Sequence, residues 1–370
     1  MLVKKSFRIP IAKPVVTEED IALVVEALRG GHLSSGEYVE RFEQEFAKYI
    51  GTKHAVAVNS GTAALEVSLK AMGVSKGDEV ITPSFTIAAT SNAVVSLGAK
   101  PVFVEIERET YNMNPSKVED AITPRTKALM PIHYGGQCAE MNQIMEIASR
   151  HNLKVVEDGA PAAGATYRGS KAGTFGDAAG FSFFPDKNIT TGEGGMITTN
   201  EDQIAEKARY LRKHGAPSRY YNVDIGWNYK MPDFCAALGL SQLARLEATI
   251  RRKNEVAQNY SKLLRDMSSI SLPLVRPYNR HTFMLYAIRT EDNNMRERIR
   301  SSLESIGVET RINFPPVHLQ PIYKSMYGYG TGLLPLTEQV SETIISLPIF
   351  LQMTDEDQTY IVDAIRNIAR

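Results

Sequence analysis

The sequence predicts an α/β fold with a large, mainly parallel sheet, followed by a smaller α/β unit at the C-terminal end. Three observations carry this expectation. Short apolar runs alternate with helical stretches from about residue 39 to residue 157, and turn-forming residues separate them. A long helical pattern from Met231 then leads into a second strand–helix set. Strands that alternate with helices need crossover connections, and these cover both faces of a parallel sheet.

The elements follow in order. Val39, Phe42, Phe46 and Tyr49/Ile50 recur at helical spacing, and Gly51 ends that helix. Residues 55–58 read as a strand, Asn59-Ser60-Gly61-Thr62 as a turn, and residues 63–72 as a helix. Strands are expected at residues 79–82, 101–104, 128–132 and 154–157, with helices at 87–97 and 144–150. From Met231 the pattern Ala236, Leu240, Leu243, Leu246, Ile250 continues as one long helix to Leu264. Pro273 and Pro277 precede a strand at 284–288, a helix at 296–306 and a last helix from Asp355. Domains of roughly 100–200 residues allow two or three in this length. The division expected is a large domain with an N-terminal arm over residues 1–245 and a small domain over 246–370.

Composition narrows the function. Of 370 residues, 43% are hydrophobic and 23% charged, as in a globular protein with a sizeable core. Lys+Arg and Asp+Glu both number 42, so no global charge draws the chain to nucleic acid or an anionic membrane. The two cysteines, Cys138 and Cys235, lie far apart, which argues against a disulfide framework, a zinc site or an iron–sulfur cluster; no metal is expected. The N-terminal residues 1–7 carry lysines without an apolar segment behind them, and no run approaches the roughly 18–20 apolar residues of a membrane span. The expected location is cytoplasmic.

Four segments carry candidate chemistry. Lys187 lies in Phe181-Ser182-Phe183-Phe184-Pro185-Asp186-Lys187-Asn188, before Thr191-Gly192-Glu193-Gly194-Gly195. Burial among aromatics would favour the neutral amine that imine chemistry needs. Taken alone, the segment reads rather as a surface lysine in a loop before a hairpin. Asp158 ends the strand Val155-Val156-Glu157-Asp158, where a carboxylate can face a pyridine nitrogen or merely cap the next element. Ser60-Gly61-Thr62 opens a helix, which suits a phosphate but also describes an ordinary cap. Gly226-Trp227-Asn228-Tyr229-Lys230-Met231 by itself reads only as a turn.

Together, and in this order, these segments resemble the DegT/DnrJ/EryC1/StrS family of sugar-nucleotide aminotransferases, whose fold is the aspartate aminotransferase type (fold type I). The resemblance runs from about Ile9 to the C-terminus. It includes Leu33-Ser34-Ser35-Gly36, residues 98–104 from Gly98 to Val104, and residues 236–243 from Ala236 to Leu243. It implies pyridoxal 5′-phosphate (PLP) held as a Schiff base on Lys187, which would also shuttle the proton of the reaction. It further implies Asp158 against the ring nitrogen and Ser60, Gly61, Thr62 and Ser182 around the phosphate. Asn228 would reach the phosphate of a second subunit, which implies a homodimer with shared active sites. Three positions depart from the family pattern: Pro161 stands for a usual Gln, Ala163 for a frequent His, and Ile87 for the aromatic over the ring.

The family contains a dehydratase branch with His at the lysine position, so Lys187 favours amino transfer. A non-catalytic, cofactor-binding regulator is the rival of another class, and retention of both Lys187 and Asp158 speaks against it. Glu309-Thr310-Arg311, Asn313 and His318 resemble the sugar-site loop of the perosamine-synthase branch, so Arg311, Asn313 and His318 are candidate substrate ligands. The expected substrates are a nucleotide-linked 4-keto-6-deoxyhexose, aminated at C4, and L-glutamate; amination at C3 of a 3-keto-sugar is the alternative. Arg209, Arg212, Lys213 and His214 read as a solvated helix face, or as an anion site. Tyr220 and Tyr221 stay open between a sugar-facing and an interface role.

Overall fold

A computed structural model describes residues 7–369; the basic stretch 1–6 lies outside the described residues. The strands of the N-terminal two-thirds are β1 (His54–Val58), β2 (Glu79–Pro83), β3 (Lys100–Val104), β4 (Thr126–Leu129), β5 (Lys154–Asp158), a small hairpin of β6 (Thr166–Tyr167) and β7 (Ser170–Lys171), β8 (Ala178–Ser182) and β9 (Gly195–Thr199). Seven of them form one sheet in the order β1-β9-β8-β5-β4-β2-β3. All neighbouring pairs are parallel except those of β9, which runs against both β1 and β8. This is the expected α/β fold with a mainly parallel sheet.

Helices cover the sheet. They are α1 (Glu18–Arg29), α2 (Glu37–Ile50), α3 (Gly61–Ala71), α4 (Ala88–Val95), α5 (Met141–Arg150), α6 (Asp202–Leu211) and α7 (Asp233–Ala244). Strands buried on both faces read as unbroken apolar runs, and β1, β2, β8 and β9 are buried along nearly their whole length. Helix α3 packs its Ala63, Ala64, Leu65 and Val67 into one core with Val56, Val80, Val156 and Ile197. On the other side Phe42 and Phe46 of α2 meet Phe181 and Phe183.

The long helix expected from Met231 to Leu264 is two helices. It breaks at Arg245 (φ −111°, ψ 7°), and α8 (Leu246–Leu264) carries the chain onward. Arg245 leaves the helical path and forms an ion pair with the buried Asp20 of α1. Then follow β10 (Ile270–Ser271), β11 (Asn279–Arg280), β12 (Tyr286–Thr290), α9 (Asn293–Ser305), α10 (Pro321–Tyr327), α11 (Pro335–Thr343), β13 (Ile344–Leu347) and α12 (Asp355–Ala369). Strands β10, β12 and β13 form an antiparallel sheet with its own core, including Tyr260, Tyr286, Ile288, Ile345 and Ile361. Ile9 also packs in that core and bridges Val308, so the start of the described chain is tied to the C-terminal unit. Strand β11 pairs with β6, joining the hairpin to this part of the chain.

The carboxyl ends of β1, β2, β5 and β8 share one edge of the large sheet. Ligands of open α/β sheets bind at that edge.

Candidate active site

Asp158 is the last residue of β5 and is 1% exposed. Its Oδ2 accepts a 2.7 Å hydrogen bond from Thr90 Oγ1, and its Oδ1 accepts from the Ala160 N–H at 3.2 Å. Thr90 Oγ1 is in turn 2.8 Å from Thr86 Oγ1. Burial pushes the Asp158 carboxyl above its ordinary value, opposed by the hydrogen bonds from Thr90 and Ala160 and by the charge of Lys187. A buried carboxyl in this state lacks a full cationic partner.

The residue before it anchors the strand end. Glu157 is fully buried and accepts N–H bonds from Gly173, Phe175 and Gly176 at 2.8–2.9 Å. His133 Nδ1 accepts from the Ala139 N–H at 3.2 Å, which leaves its Nε2–H to donate to Glu157 Oε2 at 2.8 Å. The neighbouring backbone is also fixed, because the His133 N–H donates to the Asp158 carbonyl at 3.1 Å.

Ser60 caps α3, with Oγ accepting from the Ala63 N–H at 3.1 Å. Gly61 is the first helical residue, and a Cβ there would sit 2.7 Å from Ser182 Cβ. Gly195 has the same constraint from below: its Cβ would meet the Ser60 carbonyl at 2.3 Å. The two glycines therefore let the positive end of a helix rest directly on the β8–β9 pair. Ser60 and Thr62 line a cavity of 420 Å³ with Asn59, Glu193 and Tyr229.

The segment between β8 and β9 emerges at this same edge and carries Lys187, whose side chain is 17% exposed. Asp186 links it to the C-terminal unit, with Oδ1 3.3 Å from Lys187 Nζ and Oδ2 3.3 Å from Arg311 Nη1. Strands β8 and β9 were not anticipated; in β8, Ala178-Ala179-Gly180 lacks the β-branched residues that mark a strand.

The other expected residues divide. Ile87, at the start of α4, is 55% exposed, a large apolar side chain open at the site edge. Pro161 is buried, and its carbonyl accepts from Thr282 Oγ1 at 3.4 Å, while Ala163 sits in the core around Phe42. Asn228 is exposed in the single chain; its segment runs beside β1, where the Asn59 N–H donates to the Tyr229 carbonyl at 2.9 Å. Asn313 is tied by its carbonyl to the Tyr134 hydroxyl, and its buried Oδ1 has no hydrogen-bond partner among the described residues. His318 differs from expectation. It is fully buried, with Nδ1 2.7 Å from Ser84 Oγ and Nε2 3.1 Å from Glu338 Oε1. Both ring nitrogens are committed within the chain, so a substrate contact through this ring is not available.

The basic cluster near residue 210 is mixed. Arg212, bound to Glu43 and the Ala57 carbonyl, lines a 630 Å³ cleft together with Arg209, Lys213 and Lys230. Tyr220 and Tyr221 are exposed, at 87% and 63%. Thr86 and Thr90 escaped the sequence reading; their one-turn spacing at the start of a helix was the available signal.

This donor set fits pyridoxal 5′-phosphate. A buried carboxyl short of a cation, an amine on the β8–β9 loop and a helix N-terminus cradled by glycine match its ring nitrogen, carbonyl carbon and phosphate.

Residues 14–366 match the DegT/DnrJ/EryC1/StrS aminotransferase family. The chain is 41% identical to the GDP-perosamine synthase of Caulobacter vibrioides, over 98% of each chain. Among solved structures, DesV of S. venezuelae, captured with a ketimine intermediate, superposes with a TM-score of 0.94 at 37% identity over 99% of both chains. The Bacillus subtilis protein ntda, with its cofactor PMP bound, gives 0.88 at 30% identity over 96% of this chain and 83% of that one.

Proposed function

The chain belongs to the DegT/DnrJ/EryC1/StrS aminotransferase family and is a PLP-dependent sugar-nucleotide aminotransferase, and from that premise we propose that it aminates C4 of a nucleotide-linked 4-keto-6-deoxyhexose, with L-glutamate as amino donor. The observation that carries the C4 reading is the 41% identity to a GDP-perosamine synthase. The ion pairs that tie Arg311, of the Glu-Thr-Arg sequence, through Asp186 to Lys187 support a sugar-facing place for that loop.

PLP supplies an electron sink that stabilises negative charge at the carbon bearing the amine. The chain's own residues do the rest. Lys187 would hold the cofactor, and its Nζ would move a proton to and from that carbon. Asp158, buried and fixed by Thr90 and Ala160, would keep the ring nitrogen protonated. The α3 N-terminus, with Ser60, Gly61, Thr62 and Ser182, would bind the phosphate. Ile87 would offer the ring aliphatic rather than aromatic surface, and Pro161 would bring no side-chain amide donor.

Asn228 reaches the phosphate of a second copy, making the homodimer the active form; its exposure in the single chain supports this. Among the described residues no helix is long and apolar enough to cross a membrane, and a cytoplasmic location is part of this reading.

The test is a panel of nucleotide-linked 4-keto- and 3-keto-sugars incubated with the PLP-loaded protein and L-glutamate, with products analysed by mass spectrometry and NMR. A C4-amino product is expected. A C3-amino product would overturn the regiochemistry, and no amination of any keto-sugar would overturn the substrate class.

A further inference from the structure

Helix α8 buries a stripe of Leu246, Thr249, Ile250, Lys253, Val256, Ala257 and Tyr260 at three- and four-residue spacing. One member of that stripe is a lysine. In the run Arg251-Arg252-Lys253 the charges read as a solvated face, yet Lys253 is 5% exposed. Lysine is rarely buried without a partner, and no carboxylate lies within ion-pair distance of Lys253 among the described residues.

Lys253 lines a 30 Å³ cavity together with Asp186, Lys187, Asn188 and Arg245. Two other groups on that cavity are buried oxygens: Asn188 Oδ1 has no hydrogen-bond partner among the described residues, and Asp186 Oδ1 meets only the Lys187 ammonium, at 3.3 Å. The Lys253 amine thus shares one pocket with the Asp186 carboxylate and the Lys187 amine, and the charges of both act on it.

We propose that Lys253 is a positioning residue for Lys187: from the pocket they share it steadies the lysine-bearing loop through the charge of the Asp186 carboxylate, and its own positive charge disfavours a second cation on the cofactor-bearing nitrogen. The proposal rests on Lys187 being the cofactor lysine and adds to that reading. Neighbouring cations are known to activate an amine in this way. Burial lowers the Lys253 amine to about 8, with Asp186 opposing and Lys187 adding to the shift. Its charge is therefore present below about pH 8 and lost above. The other charged groups facing the cavity are Lys13 and Arg245; Asp20 neutralises Arg245, and Arg311 holds the far oxygen of Asp186.

The test compares PLP-loaded Lys253→Met with Lys253→Arg, which keeps a charge at every pH. The readout is the pH midpoint of the cofactor's visible absorbance change. The midpoint is expected about half to one unit higher in the Met variant than in the Arg variant, as a nearby charge at intermediate dielectric dictates. Lys253→Gln replaces Met if the latter does not fold. Equal midpoints in folded, PLP-loaded neutral and charged variants would overturn the inference while leaving the cofactor site intact. A wild-type protein that develops no visible band with PLP would instead overturn the reading of Lys187 beneath it.

Discussion

Thr90 Oγ1 donates a 2.7 Å hydrogen bond to Asp158 Oδ2, so the first turn of α4 holds a carboxylate at the end of β5. Both residues are essentially excluded from solvent. A buried acceptor that loses its donor costs about 1–3 kcal/mol. Thr90→Val is expected to weaken PLP binding about tenfold, and Thr90→Ser to restore it. Fluorescence titration of the apoenzyme with PLP measures both. Unchanged affinity in the Val variant would remove Thr90 from the site.

Asp158 itself makes a pH-dependent prediction. In the cofactor-free protein its carboxyl is raised above the ordinary 3.8 by burial. Its contribution is therefore full below that value and lost as pH rises through the folded-state value. Asn cannot ionise, so cofactor-free Asp158→Asn gains stability relative to wild type as pH rises above about 4. With PLP bound the order reverses, because the carboxylate then has its cation. Thermal melts across pH, with and without PLP, read the crossing.

The local elements of this site were legible in the sequence, whereas its chemistry rested on the family resemblance, since each segment alone also read as a surface lysine, a cap or a turn. The Asn59-Ser60-Gly61-Thr62 turn sits between β1 and α3 as expected, and Asp158 ends a strand whose Val155 and Val156 are fully buried. What was not legible depends on distant partners. Residue 132 was expected inside a strand, but β4 ends at Leu129 and Ile132 only bridges Asp158. The break at Arg245 follows from its ion pair with Asp20, 225 residues away in sequence. His318 looked like a loop ligand because burial by Ser84 and Glu338 is a tertiary fact. Lys253 was hidden among arginines for the same reason.

Gly61 makes a steric prediction. Its missing Cβ lets α3 rest on Ser182, and the contact of 2.7 Å leaves no room for a methyl. Gly61→Ala is expected to push the helix off β8 and reduce PLP affinity by at least about tenfold, corresponding to roughly 1.4 kcal/mol. Equilibrium dialysis with PLP measures the loss. Wild-type affinity would mean that the phosphate binds elsewhere.

His318 is expected to matter for stability rather than for substrate. Burial lowers its imidazole below the ordinary 6.5, with Glu338 opposing. Its stabilisation is present above that value and lost as pH falls through the folded-state value. His318→Ala should cost about 2–3 kcal/mol, since Ser84 and Glu338 lose a buried partner. Denaturant unfolding measures this, and the folded variant should keep the wild-type KM for the nucleotide sugar. A large rise in KM without loss of stability would restore the ring to the substrate site.

The central claim is that Lys187 carries the cofactor. The most direct measurement is borohydride reduction of the PLP-loaded protein, followed by proteolysis and peptide mass mapping. The phosphopyridoxyl mass is predicted on the peptide containing Lys187, and it should vanish in Lys187→Ala. The label on any other lysine of the wild-type protein, or a borohydride-fixed label that persists on this peptide in Lys187→Ala, would contradict it.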